Sequence, residues 1–260
     1  SIQSIAGVAM LNKLVLGEPR YLPTIIADKT TAITVVYGVL AALFARERNG
    51  HGQELEVPMF ETMVSYVMAE HLWGMTFEPP LGPPGYVRLM SIHRRPYKTK
   101  DGYVAILPYM NAHWDTFCDV TGHPELKDDP RFRTMGDRTR NIDDTYDITA
   151  QIMETRTTQE WLDLFAPTSV PINRVNTLED LATDPHLVAT GFWKTLDHPT
   201  EGPLRTTAFP VNFSGTPADV TRRHAPLLGE NTREVLEELG YASERIESLL
   251  ASGAALAAGG

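Results

Sequence analysis

The sequence predicts a mixed α/β protein in which a small α+β domain is inserted into a larger domain. Three observations carry this. Residues 91–215 mix strand-like alternation with helix-like periodicity and turn signals between them. The run Pro79-Pro80-Leu81-Gly82-Pro83-Pro84-Gly85 and the pair Thr216-Pro217 have the composition of connections on either side of that body. The flanking pieces are rich in apolar helical patterns and look incomplete by themselves. The expected organisation is therefore 1–75 as a piece of the large domain, 76–90 as linker, 91–215 as small domain, and 216–260 returning to the large domain. The chain opens on Ser1 without a Met or a polar lead-in, as if entered partway through a domain.

In chain order, residues 1–16 are small and apolar and predict one short packed helix, closed by a turn at Gly17-Glu18-Pro19. Asp28 stands at the mouth of a long helix with an uncharged run from Thr30 to Ala45. Asp is a favoured N-cap, because its carboxylate accepts the orphan N–H groups of a first turn. The same donors and the helix dipole would hold it ionised, which also suits a nucleophile. The residues alone leave a plain cap and a catalytic carboxylate both open, and caps are the commoner of the two. Ala, Val and Leu lie nearly all round this helix, so it is expected to be buried on most faces. Gly38 inside it points to close packing against a neighbouring backbone. Gly50 suits the left-handed position after its end.

Gln53–Val57 alternates polar and apolar residues and predicts a strand. A helix over about Phe60–Gly74 follows, with Met63, Val64, Val67, Met68 and Leu72 on one face. A hairpin is expected around Asp101-Gly102, from Arg94 to Ile106. Helices are expected over Ala112–Thr121, Asp137–Glu154 and Thr158–Phe165, the last with Thr157 and Glu160 in capping-box spacing. Val170–Val175 reads as an edge strand, and Leu178–Ala182 as a helical turn halted at Asp184-Pro185. A strand pair (Phe192–Leu196 with Leu204–Ala208) comes next. Asn231 and Glu234, again in capping-box spacing, open a helix to Leu239. A last helix covers Ser243–Leu250, and residues 251–260 form a frayed tail.

Composition sets limits. The chain has 260 residues and a net charge of −10, which argues against sequence-independent nucleic-acid binding. One cysteine, Cys118, excludes an internal disulfide framework and fits a reducing, cytoplasmic setting; it reads as core filler. The run from Thr30 to Ala45 is shorter than the roughly 20 residues that a membrane span needs, so no membrane association is expected. No metal-ligand spacing, GxGxxG or P-loop occurs, and no metal is expected.

Several phrases together resemble one family. They are Ile26-Ala27-Asp28 leading a long helix, Ala45-Arg-Glu-Arg-Asn-Gly50-His-Gly52-Gln53, Pro96-Tyr97 with Asp101-Gly102, Val170-Pro171, Asp184-Pro185-His186, His198-Pro199, and Pro226-Leu-Leu-Gly229-Glu-Asn-Thr232-Arg-Glu234 with its continuation to Gly240. Each is weak alone. Their order and spacing resemble the family III CoA-transferases of the CaiB/BaiF type, which include 2-methylacyl-CoA racemases. The resemblance runs from residue 1 to about 250.

It implies part of a Rossmann-like large domain, a small α/β domain and an interlocked homodimer, with coenzyme A as cosubstrate and an acyl-CoA and a small carboxylic acid as partners. It also implies that most CoA contacts lie upstream of Ser1. Asp28 falls on the family's catalytic aspartate, which forms an acyl anhydride and then an aspartyl-CoA thioester. The racemase branch uses a similarly placed Asp with an upstream His, and tends to carry a Glu after the strand that follows Asp-Gly. Residues 106–111 offer no such Glu, which leans towards transfer. A non-catalytic, self-associating piece is the alternative from another class.

Four further residues are candidates for substrate contact. Gly82 and Gly85 sit where transferases place a glycine-rich cover, against a mere linker. Arg94, in His93-Arg94-Arg95, suits a substrate carboxylate or a CoA phosphate, against a solvated basic patch. Gln3 offers an amide donor, against a structural amide.

Overall fold

The structure, a computed structural model, describes residues 1–218 and 223–258. These fall into two compact units, Ser1–Val175 and Asn176–Gly260. Residues 219–222, within the expected C-terminal return, and the last two residues of the expected tail lie outside the described residues.

The first unit opens with α1 (Ile2–Ile5) and α2 (Val8–Leu16). They are two helices rather than one, because Gly7 between them takes φ 84°, a left-handed conformation that interrupts a helix. Then come α3 (Ile26–Asn49) and α4 (Met59–His71), followed by a 3₁₀ turn at Trp73–Thr76. Gly50 closes α3 in the left-handed conformation, its N–H returning to Arg46 O. A small core of Ala6, Val8, Ala27 and Met63, flanked by Ile26, Val64 and Val67, ties these helices together.

Three expectations fail here. α3 is not buried on most faces: only Ala27 and Thr31 are, while Ile33 is 67% and Phe44 61% exposed. By length and composition alone α3 would also pass for a membrane span. Gln53–Val57 is not a strand; it alternates as a strand does, but it has no ladder partner among the described residues. Gly38 meets no backbone either, its nearest neighbour being a Leu55 methyl at ordinary distance.

Beyond residue 96 the hairpin forms as expected. β1 (Tyr97–Lys98) and β2 (Tyr103–Ile106) pair antiparallel with Tyr97 opposite Val104. β3 (Ile172–Arg174) joins at the edge, with Ile106 opposite Ile172. Four helices complete this body: α5 (Asn111–Thr121), α6 (Met135–Arg140), α7 (Ile142–Met153) and α8 (Thr158–Phe165). The single helix expected over 137–154 is broken at Asn141, where φ −110° and ψ 46° leave the helical region. Trp114, Phe117, Phe132, Trp161 and Phe165 fill the core with Val104 and Ile106 beneath them. Cys118 is buried in it, and burial pushes its thiol up to about 12, so it is an inert filler.

The second unit holds α9 (Leu178–Leu181), α10 (Pro185–Ala189), the hairpin β4 (Trp193–His198) with β5 (Gly202–Thr207), α11 (Thr232–Glu238) and α12 (Ser243–Ala251). Asp184-Pro185 does not merely halt a helix. Asp184 accepts the N–H groups of His186 and Leu187 and starts α10, with Pro185 in the first turn. Asn231 is the N-cap of α11 but makes no capping box; its side chain bonds Glu234 instead.

Candidate functional site

Asp28 is not the N-cap of α3. The helix starts at Ile26, three residues earlier than a cap at Asp28 requires, and Ile25 occupies the cap without a side-chain bond. Asp28 therefore lies in the first turn, where the N-terminal end of the dipole still favours a carboxylate. It is exposed, and it forms no hydrogen bond or ion pair among the described residues. Its neighbours are better tied: Lys29 Nζ donates to Thr24 Oγ1 at 3.0 Å, and the buried Thr31 hydroxyl donates to Ala27 O. The carboxylate is thus held on a rigid first turn and left chemically free.

Gln3 is bonded to the backbone that leads into α3. Its amide nitrogen donates to Thr24 O at 3.2 Å and Leu22 O at 3.4 Å, and its carbonyl oxygen accepts from Leu22 N at 2.9 Å. Three bonds to the segment 22–24 clamp the approach to α3 and leave Asp28 on a defined path. Gln3 also lines an open depression of about 420 Å³ with Tyr21 and Thr24. A larger cleft of about 600 Å³ runs between α3 and α4, walled by Ile26, Ile33, Tyr37, Thr62 and Tyr66. Asp28 lines neither cavity, although its neighbour Lys29 is a wall of the second, as are Ile26 and Thr30.

Gly82 and Gly85 sit on the end of α4. A Cβ on Gly74 would stand 2.7 Å from the Gly82 backbone, so the two glycines allow a close chain crossing there. Leu81 N donates to Gly74 O at 3.0 Å, Gly85 N to His71 O at 2.8 Å, and Tyr86 N to the buried His71 Nδ1 at 3.1 Å. Gly85 takes φ 116°. Arg94 is exposed and shares no cavity with Asp28. Among the described residues no bond or cavity wall joins Asp28 to Gly82, Gly85 or Arg94, and no group of three metal-ligating side chains occurs.

Sequence reasoning missed the residues that organise this region. His71 anchors the 74–86 segment, and the Ser4 and Tyr21 hydroxyls meet at 2.8 Å beside Gln3. Neither carries a spacing signal, since each pair is joined only by folding.

Comparison with known proteins adds the context. The profile described as CoA-transferase family III matches residues 1–232. A formyl-CoA:oxalate CoA-transferase from Afipia carboxidovorans is 26% identical over 92% of this chain and 61% of its own length. A succinyl-CoA:glutarate CoA-transferase from Mus musculus is 28% identical over 91% of this chain and 54% of its own. Among solved structures, a CAIB/BAIF family protein from Brucella suis aligns with TM-score 0.67 at 23% identity over 92% of this chain and 61% of that one. The protein Rv3272 from M. tuberculosis aligns with TM-score 0.70 at 22% identity, over 85% and 58% of the two chains. The chain thus spans a little over half the length of the relatives it matches.

Proposed function

Because the chain belongs to CoA-transferase family III, we propose that Asp28 is the nucleophile of an acyl-CoA:carboxylate CoA-transferase. What supports this is one observation: the carboxylate is exposed on a fixed first turn and engaged by no other side chain. In the proposed cycle Asp28 attacks the thioester carbonyl and the carbon–sulfur bond breaks. The products are an aspartyl–acyl anhydride and CoA thiolate. The thiolate attacks the Asp28 carbonyl, releasing the first acid and leaving an aspartyl-CoA thioester. The acceptor carboxylate then attacks that carbonyl and expels thiolate, which takes the new acyl group and restores Asp28. A carboxylate suits each step because an anhydride keeps the reactivity of the thioester, whereas a serine ester would stall.

We further propose that α3 belongs to a Rossmann-like large domain. On this reading its apolar faces are covered by the rest of that domain and by a second subunit, and the principal CoA contacts lie outside these 260 residues. The Gly82–Gly85 turn and Arg94 are proposed to approach the substrate only in that assembly.

The test uses the whole protein. Asp28→Asn should lower CoA transfer by at least about 10⁴-fold, the loss expected when a covalent nucleophile is removed. Borohydride trapping during turnover should place a label on Asp28. Transfer that survives Asp28→Asn overturns the assignment. Deuterium exchange at the α-carbon of a 2-methylacyl-CoA, without any acceptor acid, would replace it by racemisation.

A further inference from the structure

His71 is the last residue of α4 and is only 6% exposed. Its backbone and its ring both hold the segment that crosses back over that helix end. His71 O accepts from Gly85 N at 2.8 Å, and Nδ1 accepts from Tyr86 N at 3.1 Å. A backbone N–H can only donate, so Nδ1 carries no proton and the neutral ring has its proton on Nε2. On that other side Nε2 stands 3.6 Å from Glu70 Oε1.

The segment held in this way is strained. Trp73 takes φ 44°, the only positive φ outside glycine among the described residues. A bulky residue stays in that region only where its surroundings over-determine it. Around Trp73 the chain closes tightly on itself. A Cβ on Gly74 would stand 2.7 Å from the Gly82 backbone, Leu81 N donates to Gly74 O at 3.0 Å, and the Tyr86 ring lies 5.2 Å from the Trp73 ring. The two bonds to His71 are the outermost fastening of this crossing.

The charges around the ring are one-sided. The ionisable side chains of α4 itself are Glu61, Tyr66 and Glu70, and among the described residues only Glu70 pairs with His71. The returning segment, residues 72–86, carries Glu78 and Tyr86, and beyond it Arg88 lies over the Tyr109 ring. α1 packs against α4 and has no ionisable side chain. Those of α3 (Asp28, Lys29, Tyr37, Arg46, Glu47 and Arg48) make no bond or ion pair to His71 among the described residues. A second proton on the ring therefore meets an anion at Nε2 and a competing donor at Nδ1.

We propose that His71 is a proton-operated clasp on the Gly82–Tyr86 turn. With the ring neutral, the turn is fastened to the end of α4. Protonation from solvent puts an N–H on Nδ1, facing the Tyr86 N–H, and that bond is lost while Glu70 steadies the imidazolium. The fastened turn thus binds one proton fewer than the released one, so fastening strengthens as pH rises. The inference concerns how the turn is held, and it stands whether or not Asp28 is a nucleophile.

The test is hydrogen exchange of the whole protein between about pH 5 and 8, where histidine ordinarily changes charge, with each rate corrected for intrinsic exchange at that pH. Protection of the peptide carrying Gly85 and Tyr86 should fall about tenfold or more towards the acid end, as loss of a buried hydrogen bond predicts, while α8 keeps its protection. The fall should follow the His71 Cε1–H shift read by NMR. His71→Asn sets an amide oxygen near the place of Nδ1, where it can accept from Tyr86 but cannot titrate. That variant should keep the protection and lose its pH dependence. Glu70→Gln should move the midpoint to lower pH, because it removes the anion that favours the imidazolium. Equal protection of Gly85 and Tyr86 at both ends of the range overturns the proposal. So does a pH dependence that survives in His71→Asn, or a His71→Asn variant whose turn is already released at the neutral end.

Discussion

The region around Trp114 and the region around α3 are built to different standards of completeness. Fourteen buried side chains form the core between the three-stranded sheet and α5–α8, against four where α1–α4 meet. The first body closes on itself: its aromatic rings stack at centroid distances of 5.4–6.2 Å, and the Trp161 indole N–H finds Met153 O at 2.8 Å. The second presents Ile33, Tyr37, Leu40 and Phe44 to its surroundings along one long helix. Apolar surface gains stability only when it leaves water. The difference therefore teaches that the aromatic core binds the 97–174 body far more fully than the small cluster around Ala27 and Met63 binds α3.

The strongest way to break that contrast is a pair of truncations. Trp161→Ala should cost about 3–5 kcal/mol, because it removes a fully buried ring and its indole hydrogen bond. Phe44→Ala, at a position 61% exposed, should stay within about 0.5 kcal/mol. Both are read from urea unfolding followed by tryptophan emission. Equal losses would mean that α3 is as tightly packed as the aromatic core.

A smaller effect separates the two regions at their helix starts. Thr157 caps α8 with its hydroxyl accepting from Glu160 N, while the Glu160 carboxylate accepts from Thr157 N at 2.8 Å. Thr157→Ala should therefore cost about 1 kcal/mol, measured by the same unfolding. α3 has no side-chain cap, so Ile25→Ala should show no comparable loss of capping.

Local signals were legible where a single segment supplies all the partners. Thr157 with Glu160, the Asp101-Gly102 hairpin and the Gly50 stop could be read because three or four residues settle each. Asn231 with Glu234 has the same spacing and failed, since the amide reaches the Glu234 side chain rather than a backbone N–H. Gln53–Val57 failed because alternation states a preference and a ladder needs a neighbour. The burial expected of α3 was read from composition, which says which faces want cover and not what provides it. Asp28 was singled out as a candidate through an ordered set of phrases, but its place in the first turn depended on where Ile26 enters the helix. Arg88 and Arg138 could not be paired at all, since they are fifty residues apart and meet only as walls of one cavity.

The smallest expected effect tests how the complete body is locked together. Asp101, in the β1–β2 turn, accepts from Thr158 N at 2.7 Å and from the Thr99 hydroxyl, and so ties the hairpin to the start of α8. The Thr158 backbone bond, helped by its hydroxyl, draws the Asp101 pKa below the ordinary 3.8. A carboxyl whose folded pKa is depressed contributes fully above its unfolded value and loses that contribution as pH falls through the folded one. The contribution is therefore present at neutral pH and disappears only below 3.8, while no comparable loss is expected near neutrality. Asp101→Asn should flatten the acid limb of the stability–pH curve in that window and leave its neutral slope alone. An unchanged acid limb would show that the turn and α8 are held by the Thr99–Thr158 hydroxyl pair, 2.8 Å apart, and not by the carboxylate between them.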